Sequence, residues 1–156
     1  MKRAGSVLPI LLLLASAPAG EAHAACNVSA TGVAFGSYDV FAPAPLDSTG
    51  TVTVSCDEVP PPNVTVEIGP SPGSGGFNPR RMRHASRPDR LDYNLFTDAT
   101  RSAVWGDGTA GTQTVFLKRV KRQKPPVVTT IYGRIPPGQN VPVGDYFDTL
   151  TVTITW

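Results

Sequence analysis

Thr149-Leu150-Thr151-Val152-Thr153-Ile154-Thr155-Trp156 alternates polar and apolar residues without a break. That period belongs to a half-buried β-strand, with Leu150, Val152, Ile154 and Trp156 on one face. Fully extended, the segment reaches roughly 26 Å. Burying four such side chains contributes roughly 6–12 kcal/mol gross, as an upper bound. A whole domain is stable by only about 5–15 kcal/mol, so this face is expected to be covered. With Trp156 closing the sequence, the expected cover is an earlier strand of this chain or a strand of another protein.

Working back from that segment, the chain reads as short strands between Pro and Gly punctuation. Thr51-Val52-Thr53-Val54-Ser55-Cys56 alternates, with Val52, Val54 and Cys56 on one side. After Pro60-Pro61-Pro62, Val64-Thr65-Val66-Glu67-Ile68 alternates again. Leu91 to Phe96 repeats the pattern through Leu91, Tyr93 and Leu95, and strands are further expected at 113–118, at 127–135 and, as one piece, at 146–156. The stretches 69–76, 106–108 and 136–140 carry turn chemistry. Nothing has a helical period. Short strands at this spacing predict an all-β sandwich, with no internal repeat and no second domain.

The front of the chain reads as a secretory leader. Lys2 and Arg3 precede an apolar run from Val7 to Ala15, and Ala22-His23-Ala24 fits a small-x-small cleavage pattern. Residues 1–24 are thus the expected signal peptide and 25–156 the expected domain, exported and soluble. His23 sits where a lipobox needs an aliphatic residue, so plain secretion ranks above lipid anchoring. The run is too short for a membrane span. About 130 residues remain, enough for one domain with one core.

Export bears on the cysteines. Cys26 and Cys56 are the two in the chain, and in an oxidising compartment they are expected to form a disulfide. A loop of about 30 residues closed in this way contributes roughly 3–4 kcal/mol on the chain-entropy model. Two cysteines and one mature histidine do not suggest a zinc site. The formal net charge of +2 is too small to steer the whole molecule toward nucleic acid or membrane.

Several segments, in order, resemble one known family. They are Cys26, Phe35-Gly36-Ser37-Tyr38-Asp39, Gly50 to Cys56, Arg81-Met82, Leu91-Asp92-Tyr93-Asn94-Leu95-Phe96-Thr97-Asp98 and Trp105-Gly106-Asp107-Gly108. Tyr132-Gly133-Arg134-Ile135-Pro136-Pro137-Gly138-Gln139 and Gly144 to Ile154 complete the set. Together they resemble the spore coat protein U domain family, which includes pilin subunits of the archaic, Csu-type chaperone–usher pili.

The resemblance implies an incomplete immunoglobulin-like sandwich completed by a donor strand from another chain. It implies as partners a periplasmic chaperone, an outer-membrane usher and other pilus or coat subunits, with a role in adhesion or biofilm formation. On that reading Leu150, Val152, Ile154 and Trp156 help line a strand-acceptor groove. One feature departs from a polymerising pilin, which needs roughly ten or more residues ahead of its first cysteine as a donor strand. Cleavage before Ala25 leaves one, and cleavage after Ala17-Pro18-Ala19 leaves Gly20 to Ala25. The sequence therefore points to a subunit better equipped to accept a strand than to donate one.

An enzyme is not expected, nor a cofactor, a metal or a small-molecule substrate. His84 stands alone in the mature chain, in a run, Arg80 to Arg87, that reads as a solvated loop. There is no Gly-x-Ser-x-Gly elbow. Asp89 with Asp92, or Asp145 with Asp148, could be imagined as sugar-cleaving pairs, but turn and strand-end aspartates are the ordinary explanation. Two basic runs stand out: Arg80, Arg81, Arg83, Arg87 and Arg90, then Lys118, Arg119, Lys121, Arg122 and Lys124. The preferred reading is solvated loops and edge strands. Neither run interleaves with aromatics, so nucleic acid is not expected. The alternative function is a self-sufficient secreted sandwich that binds polysaccharide or another anionic surface ligand through the second run.

Overall fold

The computed structural model describes residues 26–121 and 125–156. The expected leader, and Arg122 and Lys124 of the second basic run, lie outside the described residues.

Among the described residues nine strands form: β1 (Cys26–Thr31), β2 (Leu46–Cys56), β3 (Val64–Ile68), β4 (Arg80–His84), β5 (Arg90–Phe96), β6 (Val115–Leu117), β7 (Val127–Ile135), β8 (Tyr146–Phe147) and β9 (Val152–Thr155). A six-stranded sheet runs β1-β2-β7-β5-β4-β8, and a three-stranded sheet runs β6-β3-β9. Every strand pairing is antiparallel. No helix occurs among the described residues. The expected all-β sandwich is the observed one.

The alternation seen in the sequence decides which faces meet. Val52, Val54 and Cys56 of β2 are buried in one cluster with Val64, Val66 and Ile68 of β3. Leu91, Tyr93 and Leu95 of β5 and Ile131 and Ile135 of β7 join them from the large sheet. Trp105 is fully buried, and its Nε1–H donates to the Val66 carbonyl at 3.1 Å. Gly133 of β7 has no side chain because Phe35 and Val33 occupy that space. A Cβ there would stand 2.7 Å from both, and the segment after β1 therefore lies across the sheet.

Cys26 and Cys56 are disulfide-bonded. They are direct partners at one end of the β1–β2 ladder, so the bond pins the outermost strand of the large sheet to its neighbour.

Three expectations need correction. The run from Arg80 is a strand, β4, rather than a loop. Arg80, Met82 and His84 point inward and Arg81 and Arg83 outward, so the alternation is present but two inward positions are polar. The segment 146–156 is two strands rather than one. β8 pairs with β4 in the large sheet and β9 with β3 in the small one, so the chain changes sheets between them, where Gly69 N–H donates to the Thr151 carbonyl at 2.8 Å. Residues 113–118 shorten to β6, while β1 has no counterpart in the sequence reading.

Candidate functional site

β1 bonds only to β2, and β9 only to β3, so each presents an edge with no strand neighbour among the described residues. The two edges approach one another across the mouth of the sandwich. Between them opens a cleft of about 310 Å³. One wall is Ala30, Thr31, Gly32 and Val33, and the other includes Asp148, Leu150 and Val152. Ile68, Met82, Tyr93, Leu95 and Ile131 form its floor, all buried core side chains. A second hollow of about 440 Å³ continues from it under the segments 33–40 and 141–146. Val33, Phe35, Met82 and Tyr146 line both.

Polar chemistry at the floor is sparse and specific. Tyr93 donates its phenol hydrogen to Asp148 Oδ2 at 2.7 Å. Burial and then that carboxylate push the phenol well above the ordinary tyrosine range. Arg80 lies behind, 0% exposed. Its Nη1 donates to Asn94 Oδ1 at 2.9 Å, and its Nη2 reaches the carbonyls of Trp105 at 2.7 Å, Gly69 at 3.0 Å and Ile68 at 3.2 Å. Desolvation lowers the guanidinium from its ordinary value. This side chain ties β4 and β5 to the loops after β3 and at Trp105, and so closes the sandwich at one end of the cleft.

The rim of the second hollow is fixed through His84, which is buried in β4 rather than solvated as expected. Ser86 N–H donates to its Nδ1 at 3.1 Å, so Nε2 carries the hydrogen and donates to the Val143 carbonyl at 3.2 Å. Gly144 lies flat on the ring, where a Cβ would come within 2.1 Å of Nε2. Tyr146 packs edge-on at 5.0 Å.

Of the four residues expected in a groove, Leu150 and Val152 line the cleft. Ile154 pairs with Val66 and packs on the core further along. Trp156 is half-exposed, and its Nε1–H donates to Glu58 Oε1 at 3.0 Å. The structure adds wall and floor residues the sequence reading did not single out for the site, chief among them Tyr93, Asp148 and Phe35. Tyr93 sits on the inward face of a legible strand, which was the available signal. Asp148 carried none beyond its position at a strand end.

The basic runs divide. Arg80 is core, Arg81 pairs with Asp92 at 2.9 Å, and Arg83 lies over the Phe147 ring at 5.8 Å. Arg90 bonds the carbonyls of Pro88 and Asp89. Lys118, Arg119 and Lys121 are exposed around the buried Val120, beyond β6 and on the far side of the small sheet from β9.

Two unpaired strand edges flanking an apolar floor can receive an extended chain. The edges supply backbone donors and acceptors, and the floor supplies room for alternate side chains. A family model described as the Spore Coat Protein U domain matches residues 13–153. Protein U of Myxococcus xanthus is 39% identical over 133 residues, covering 78% of this chain and 70% of that one. Among solved structures, the chain is similar to one from the CsuC–CsuE chaperone–tip adhesion subunit pre-assembly complex of the archaic chaperone–usher Csu pili of Acinetobacter baumannii. That match has a TM-score of 0.52 at 20% identity, over 85% of this chain and 40% of that one. It extends to the fold, an immunoglobulin-like sandwich. The minor tip subunit HdaB of the E. coli Hda pilus gives 0.43 at 14% identity, over 82% and 79%.

Proposed function

We propose that this chain, which belongs to the Spore Coat Protein U domain family, is an exported structural subunit of a surface fibre or coat. Its cleft receives a strand from another protein. The observation that carries this reading is the pair of unpaired edges, β1 and β9, on either side of a cleft floored by core side chains. A strand laid there would bond both edges and bury Leu150 and Val152 against its own alternate side chains. A periplasmic chaperone supplies that strand first and another subunit replaces it after passage through an outer-membrane usher. The product is a pilus or coat with a role in adhesion or biofilm formation. Residues 1–24 serve as the export leader. The work is assembly rather than catalysis, and stability is linked to the presence of the partner strand.

The test is periplasmic expression with and without a co-expressed chaperone, followed by size-exclusion mass and thermal melting. Recovery mainly as a one-to-one complex, with a higher melting temperature than the free chain, supports the reading. A stable monomer that gains nothing from the chaperone overturns it.

A second reading draws on one observation, the exposed cations Lys118, Arg119 and Lys121 gathered on one turn. They would suit an anionic polysaccharide. Salt-sensitive retention on heparin by a stable monomer would favour it.

A further inference from the structure

Resting on the strand-acceptor reading, we infer that the strand received in this cleft carries a lysine or arginine at the position that meets Asp148, and that Asp148 selects for it.

Among the described residues lining the cleft Asp148 is the one carboxylate, in a wall and floor otherwise apolar but for Thr31 and the hydroxyls of Tyr93 and Tyr146, the latter already given to the Pro142 carbonyl. Its oxygens are partly engaged from within the chain. Oδ2 accepts from the Tyr93 hydroxyl at 2.7 Å, and Oδ1 accepts the Thr149 N–H at 3.0 Å. A carboxylate offers about four lone-pair sites, so acceptor capacity remains on a residue that lines the cleft. Asp148 is only half-buried in the free chain, and water can fill that capacity.

Filling the cleft removes the water. An occupant apolar along its whole length would leave a desolvated carboxylate with open acceptor sites, which is the costly arrangement. Among the described residues no cationic side chain hydrogen-bonds Asp148: Arg80 feels its charge, but the Arg80 Nε is buried without a partner. Arg80 directs its hydrogen bonds to Asn94 and to the carbonyls of Ile68, Gly69 and Trp105. Tyr93 has one hydroxyl hydrogen, and it is already given to Asp148. The donor must come with the occupant. A cationic side chain meets the need best, since hydrogen bonds to an ionised partner are the strong ones and opposite charge fixes register. The cleft therefore reads two properties of its strand, an apolar alternation along Leu150 and Val152 and a positive charge at the Asp148 end.

The test uses short synthetic peptides alternating valine and serine, with lysine, leucine or glutamate at one end, made in both chain directions. Their affinities are measured by calorimetry for the full secreted chain and for Asp148→Asn, which keeps an acceptor for Tyr93. The lysine peptide is expected to bind the native chain about tenfold tighter than its leucine twin, with the glutamate peptide weakest. In Asp148→Asn the gap is expected to shrink below about twofold, with the leucine peptide binding tighter than to the native chain because no charge is then desolvated beneath it. Equal affinities for the lysine and leucine peptides, or a gap that persists in Asp148→Asn, overturn the inference while leaving a strand-accepting cleft intact. Failure of every peptide to bind the native chain overturns the strand-acceptor reading, and this inference with it.

Discussion

The hydroxyl of Tyr93 and the carboxylate of Asp148 meet at 2.7 Å, which ties a central strand of the large sheet to the segment that crosses to the small one. The same bond sets a pH dependence. Burial, reinforced by Asp148, raises the Tyr93 phenol in the folded chain, whereas the unfolded chain ionises near pH 10. A raised folded value means that stability is complete below the unfolded one. It is lost as pH climbs beyond it, because only the unfolded chain then releases the proton. Thermal melting between pH 8 and about 11 should show a falling limb that is shallower in Tyr93→Phe. At neutral pH that variant should be less stable by about 1.5–3 kcal/mol, the loss of one bond to a charged acceptor. Equal slopes in the two proteins would remove Tyr93 as the source.

Arg80 predicts a stability effect that charge alone cannot repair. Its forked head serves three carbonyls and an amide oxygen. Arg80→Ala strands those acceptors in the core and should cost at least about 3 kcal/mol in urea unfolding. Arg80→Lys keeps the charge but cannot span the fork, so it should recover less than half of that loss. Full recovery by lysine would mean the charge, not the geometry, is what matters.

The disulfide should act on the unfolded chain. Cys26 and Cys56 are 30 residues apart in sequence, and removing both as Cys26→Ser/Cys56→Ser should lower unfolding free energy by about 3–4 kcal/mol. Because the bond anchors β1, strand capture in the cleft should weaken in parallel. A stability loss with undiminished capture would show that β1 holds its place through its ladder alone.

The second basic run predicts a null result for assembly. Lys118 and Lys121 to Gln, with Arg119→Asn chosen because Arg119 has φ 49° and asparagine tolerates that region, should change stability by less than about 0.5 kcal/mol. Chaperone capture should be unchanged, since these side chains lie away from the cleft. Lost capture in a pull-down would move the partner contact to this turn.

Legibility of this chain followed the chemistry of its inward positions. β3 and β7 were readable to their ends, and most of β2 and β5, because valine, isoleucine, leucine and tyrosine mark the buried face. β4 was not, because Arg80 and His84 hold two of its three inward positions and hydropathy counts both as solvent-facing. Only their buried hydrogen bonds reveal them as core. The break between β8 and β9 was equally hidden. A strand that leaves one sheet for another keeps its alternation, so the period ran on through Thr151 while the partner changed. The cleft was half legible. The apolar stripe through Leu150 and Val152 announced a surface needing cover, but the floor is assembled from four strands, and Asp148 looks like any strand-end aspartate until Tyr93 is folded against it.

The sharpest test of the cleft compares neighbouring positions on β9. Val152 lines the cleft opposite Ile68, while Thr153 faces solvent opposite Glu67. Val152→Asp places a charge against the incoming strand, where desolvating it is costly, and chaperone capture should fall by at least about tenfold. Thr153→Lys puts a charge one residue away on the other face, next to an acidic partner, and should leave capture unchanged. Val152→Ala guards against a folding artefact. It keeps the chain apolar there and should weaken capture by roughly 1–2 kcal/mol through lost contact area. A pull-down in which Val152→Asp and Thr153→Lys behave alike would mean that the strand is not received along this edge, whatever partner the chain carries.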